Sequence, residues 1–157
     1  MQSLNTYLLV LVVHSWVRWL VLAGAVGALV FLARGAVAKR PFGASDSLAL
    51  RLFLGAFDTQ VLFGLLLYFL LSPLGLPRDT DLALVMKSSV LRYFAVEHIS
   101  GMLTALALAH GGWIRAKRGP VEKRRGRALW AVGLPLLIVL LTLPWPGAPY
   151  GRSLFRL

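Results

Sequence analysis

Only three histidines occur in this 157-residue chain, and two of them, His14 and His98, fall inside long apolar runs, in HSWVRW and VEHISGM. An imidazole inside an apolar span is costly unless it has a partner or a task. Two such rings at one depth on different helices could hold a flat iron macrocycle between them, since neutral imidazole is a common axial ligand of b-type haem. Other ionisable groups interrupt the same runs: Arg18 four residues after His14, Asp58, and Glu97 beside His98. His14 and Arg18 share a helix face by their i, i+4 spacing. Met102, four residues after His98, adds a thioether that can bind copper or haem iron but more often packs.

These groups must be carried by membrane-spanning helices. The chain is 58% hydrophobic with a mean hydropathy of +0.74, too apolar for a soluble domain of this size. A span needs roughly 20 apolar residues. Four runs meet that need, at about 8–32, 50–71, 90–114 and 128–143. The expected fold is all-α, one integral membrane four-helix bundle over residues 1–157. The first run has no basic segment before it and outlasts a signal sequence, so it reads as a span rather than a cleaved leader. Pro41 and Gly43 should end helix one, Ser45 or Asp46 should cap helix two, and Pro73 and Pro77 should stop it. Residues 78–89 read as a short interfacial helix. Pro135 should kink helix four.

The net charge of +11 has a topological explanation. Basic residues gather in two connections, one with Arg34, Lys39, Arg40 and Arg51, the other running from Arg115 to Arg127. By the positive-inside rule both face the cytoplasm, which puts both termini on the outer side. The connection at 72–89 balances Arg78 and Lys87 against Asp79 and Asp81. Nucleic acid is therefore not an expected partner; the lipid bilayer is. With no cysteine, disulfides, thiolate metal sites and covalent haem attachment are excluded. No phosphate loop, HExxH or nucleophile motif supports a hydrolase or a nucleotide-driven pump.

At about 1.5 Å rise per residue, His14 lies roughly 9 Å and His98 roughly 12 Å below the outer boundary. His110 lies roughly 18 Å deeper than His98 and about 120° around the helix, so it cannot join them. It reads as a headgroup-facing side chain, or as a ligand of a second, inner haem with a partner not found at that depth. Arg18 and Asp58 reach matching depths near the bilayer middle, which suggests a buried structural ion pair; Gln60 points to another side of helix two. Gly101 and Ala105 share the face of His98 and leave room for a flat ring, and Arg92 could pair with a haem propionate. Alternatively, each histidine hydrogen-bonds a neighbour, with Glu97 as a candidate. The pair Gly24 and Ala28 permits close helix approach and further assembly.

At these residues the chain resembles a family of small bacterial four-helix membrane proteins labelled cytochrome b or cytochrome b-like. The likeness rests on HSWVRWLVL, DTQVLFGLLLYF, LRYFAVEH followed by Met102 and His110, and the closing LPWP with its basic aromatic tail. It spans nearly the whole chain. It implies electron transfer in the bacterial inner membrane, with quinone or a larger respiratory or photosynthetic complex as partner. Family members often carry His where this chain has Asp58, a departure that implies fewer haems here, or none. The alternative is a non-catalytic accessory subunit that binds lipid or pigment, with structural histidines. A third reading is a small proton-conducting carrier using Arg18, Asp58 and Glu97.

Overall fold

The structure is a computed structural model that describes residues 2–75 and 82–156. Among the described residues every regular element is helical. Helix α1 covers Gln2–Val37, and α2 covers Ala44–Leu66 and continues as a π-helical segment over Leu67–Leu71. A short α3, Leu82–Lys87, precedes α4, Ser89–Arg92. The chain then passes through a second π segment, Tyr93–His98, into α5, Ile99–Arg118; α6 covers Val121–Leu141. Expectations on Pro77, Arg78, Asp79 and Asp81 lie outside the described residues.

Two helices, Leu4–Val37 and Ala44–Leu71, are long and apolar enough to cross a membrane. The outer surface is apolar on the other long helices too. Leu9, Leu20, Leu52, Leu62, Leu103, Trp130 and Leu141 all face outward. So many exposed apolar side chains suit hydrocarbon and are unfavourable in water.

Each helix buries one stripe. On α2 it is Asp46, Leu50, Phe53, Leu54, Phe57, Gln60 and Val61, the three-and-four spacing of a single helical face. On α1 it is Ser15, Arg18, Val21, Ala25, Ala28 and Leu32. Helix α1 packs on α2 and α6, while α5 packs mainly on α6 and also touches α2. Small residues permit the closest approach. A Cβ on Gly112 would lie 2.6 Å from the Cβ of Ala131, and Ala105, Ala109 and Ala116 are buried on the same helix. With lipid as solvent, such close backbone packing is a main source of helix association. Helix α6 runs through Pro135, which is buried, and its neighbours Ala131, Val132 and Val139 hold the same face.

The end of α1 shows how sequence sets a boundary. The Arg40 N–H donates to Gly35 O at 3.0 Å and the Lys39 N–H to Ala36 O at 3.1 Å. This is a Schellman stop with Lys39 in the left-handed region, φ 51°. Pro41 follows and prevents continuation. The next helix starts at Gly43, whose N–H donates to Asp46 Oδ2 at 2.8 Å.

Asp46 then does more than cap. It is fully buried and accepts from Arg125 Nη1 at 2.8 Å and Arg40 Nη2 at 3.1 Å. Arg125 also donates to the carbonyls of Leu32, Arg40 and Pro41. One guanidinium thus ties the α1–α2 connection to the start of α6. Both basic connections therefore lie at one end of the molecule, which the sequence reading attributed to charge alone. Gly35 leaves the space, since a Cβ there would sit 2.1 Å from Arg125 Nη1.

Candidate functional site

At the opposite end, α1, α2, the second π segment and α5 enclose a cavity, and the C-terminal tail closes over it. The cavity has a volume of about 150 Å³. That is about tenfold the space one water requires. Its walls include Leu11, Phe57, Val61, Leu65, Phe94, Ile99 and Leu143. His14 and His98 both line it, as do Ser15, Arg18, Gln60, Tyr68 and Met102.

Each imidazole is oriented through one nitrogen. The His98 Nδ1–H donates to the carbonyl of Thr142 at 2.8 Å, and Nε2 has no hydrogen-bond partner among the described residues. Thr142 caps the C-terminus of α6, where the last carbonyls have no helical partner. Tyr93 Oη donates to the same carbonyl at 2.6 Å. A backbone carbonyl on Nδ1–H fixes the tautomer that leaves Nε2 a lone pair, the usual arrangement of a ligating histidine.

His14 is held from the other side of the cavity. Its Nε2 lies 3.2 Å from Gln60 Nε2, while His14 Nδ1 and Gln60 Oε1 are buried without partners. An amide can present either end. With the Gln60 amide turned over, Oε1 accepts from His14 Nε2–H and Nδ1 keeps a free lone pair. Gly64, one turn further along α2, permits the fit: a Cβ there would be 3.2 Å from His14 Cε1.

Several expected roles are corrected. Arg18 and Asp58 do not pair. Arg18 donates to the carbonyl of Leu154 in the tail, and Asp58 accepts from His110 Nε2 at 2.7 Å. Matching depth fixes level but not direction. Asp58 follows Phe57 by one residue, so it points about 100° away from the buried stripe, toward α5. Gln60 is the residue on that stripe, three after Phe57, and its spacing was the available signal.

Arg92 is not at the cavity, and its Nε donates to Glu97 Oε1 at 2.8 Å. These residues are five apart. The intervening π segment, with its i to i+5 repeat, brings them onto one side. Glu97 is therefore engaged by Arg92 and not by a histidine. Gly101 does face the same way as His98, but the space beside it is filled: a Cβ there would lie 2.5 Å from Thr142 Cγ2. Gly101 lets Thr142 approach His98 and leaves no slot of its own. Met102 lines the cavity as a wall residue, and His110 lies apart from it.

The aromatic C-terminal tail is built into the site. Tyr150 stacks on Tyr93 with centroids 3.7 Å apart, and Phe155 stacks on Trp19 at 5.1 Å. Trp16 Nε1 donates to Arg156 O at 3.0 Å and Trp19 Nε1 to Leu154 O at 3.2 Å. These contacts carry Arg152, Ser153 and Arg156 to the cavity. The two π segments also meet beside it, where Tyr68 Oη donates to Ala95 O at 3.0 Å. Insertions of this type concentrate at functional sites.

The chain matches no protein-family model, no curated protein and no solved structure. The chemistry of the cavity must therefore be argued from its own residues. Two oriented imidazoles, apolar walls and cationic groups of the tail converge on this cavity. Among the described residues no three His, Cys, Asp or Glu converge on one point.

Proposed function

We propose that this protein is a membrane-embedded b-type haem protein that passes single electrons near the outer face of the bacterial inner membrane. The observation that carries the reading is that His14 and His98 line one cavity, each steadied through one ring nitrogen. A macrocycle supplies four nitrogens of its own, so two imidazoles complete its coordination where a bare ion would need more. The orphaned His14 Nδ1 and the open His98 Nε2 fit that requirement, as do the apolar walls. Bound there, haem would supply a one-electron couple. The protein's own part is to hold both rings in place through Gln60 and Thr142, and to exclude water with Phe57, Phe94 and Leu143. His110 is engaged by Asp58, which supports a single haem.

The bundle is proposed to have four spans, made by α1, α2 with its π extension, α4 through α5, and α6. Both termini would lie outside, with the two basic connections joined by Arg125 and Asp46 on the cytoplasmic side. Single cysteines at Gly43 and Lys123 are expected to be protected from a membrane-impermeant thiol reagent in intact cells. Labelling of both from outside would reverse the orientation.

The half-exposed Asp58–His110 pair favours a second feature. Its side chains are 50% and 43% exposed on the outer surface of α2 and α5. An ionisable pair facing lipid is costly, and another subunit or a second copy would cover it. Membership of a larger complex, or exchange with quinone, is compatible with haem binding. The non-catalytic accessory subunit is the competing reading. Protein expressed with ample haem and purified in detergent separates them. A b-type reduced-minus-oxidised spectrum supports the haem protein, and a colourless, stable preparation supports the accessory subunit.

A further inference from the structure

Arg18 is an intramembrane guanidinium only 8% exposed, and its Nε is buried without a partner. Its polar contact is a neutral carbonyl, that of Leu154, and its charged neighbour is another cation, Arg156. Arg152 sits over the ring of Phe94 at 5.0 Å, and its Nη1 donates to Gly151 O at 3.2 Å. All three arginines line the cavity, and no carboxylate among the described residues does. Among the described residues, Asp46 pairs with Arg40 and Arg125, Asp58 with His110, and Glu97 with Arg92. A buried charge without a counter-charge is destabilising, and guanidinium is matched geometrically by carboxylate.

We infer that Arg18, Arg152 and Arg156 form a carboxylate-binding edge, and that the cavity takes an amphipathic ligand whose acid groups face the C-terminal tail. The apolar walls hold the body of the ligand, and the tail completes the edge. This rests on the haem reading for the identity of the ligand, in which case the acid groups are the two propionates. The role expected for Arg92 passes to arginines that sequence spacing could not bring together, since two of them follow the last helix.

The test compares haem with haem dimethyl ester, which keeps the ring and iron but lacks the acid groups. The full chain, purified without added haem, is titrated with each. Wild-type protein is expected to bind haem at least about tenfold more tightly than the ester, the step that one charge-assisted hydrogen bond supplies. In the double variant R152Q/R156Q that preference should fall, through weaker haem binding and little change for the ester. Equal affinity of wild type for both compounds overturns the carboxylate edge and leaves the haem reading standing. So does a double variant that keeps the full preference. Binding of neither compound by wild type overturns both. The wild-type comparison needs no variant, so a misfolded variant does not remove the test.

Discussion

Asp46→Asn is expected to lower the free energy of unfolding in detergent by about 3–5 kcal/mol, the cost of leaving a buried charge without its partner. Asp46 is fully buried and receives two guanidinium groups and the Gly43 N–H. Asparagine keeps the size but loses the charge, so Arg125, itself 8% exposed, remains among backbone carbonyls with no counter-charge. The α1–α2 connection and the start of α6 would both loosen. Replacing the pair together, Asp46→Asn with Arg125→Met, should recover part of the loss, because the uncompensated cation is then gone. Chemical unfolding followed by circular dichroism reads both. Wild-type stability in Asp46→Asn would mean that the carboxylate does not hold the loop end together.

His14→Ala and His98→Ala should each abolish the b-type spectrum, while His110→Ala should largely keep it. The first two rings line the cavity from opposite helices, and the third is turned away toward Asp58. Thr142 and Gln60 cannot replace a missing imidazole, because a carbonyl and an amide are poor ligands for haem iron. Met102 is the one other soft donor at the cavity among the described residues. A retained but shifted spectrum in His98→Ala would assign ligation to that thioether. Loss of the spectrum in His110→Ala alone would move the site out of the cavity altogether.

The helical layout was legible from the apolar runs, because a segment that must satisfy its backbone in lipid has little choice but helix. The ends were less so. Helix α1 extends past its run to Val37, and α5 continues through Arg115, Lys117 and Arg118. Cationic residues end an apolar run, yet they suit the C-terminus of a helix and do not stop it. Depth was also legible, since rise per residue is fixed, and it carried His14 and His98 to one cavity. Direction around the helix carries a finer signal than depth. The stripe through Phe57, Gln60 and Val61 leaves Asp58 on another face, and following it would have separated Arg18 from Asp58.

Other features had no local signal. The π segments shift the register within Leu67–Leu71 and Tyr93–His98, which pairs Arg92 with Glu97. The return of the tail depends on contacts between residues more than a hundred positions apart, such as Trp16 with Arg156. Aromatic and arginine residues near a membrane boundary read equally well as interfacial anchors. Only the packed structure separates an anchor from the wall of a site.

The electron paramagnetic resonance spectrum of the oxidised, haem-loaded full chain tests the pairing of His14 and His98 most directly. Two imidazoles on one iron give a six-coordinate, low-spin ferric signal, and that signal is the expected result. A high-spin signal from iron with one protein ligand or none would contradict the two-histidine cavity.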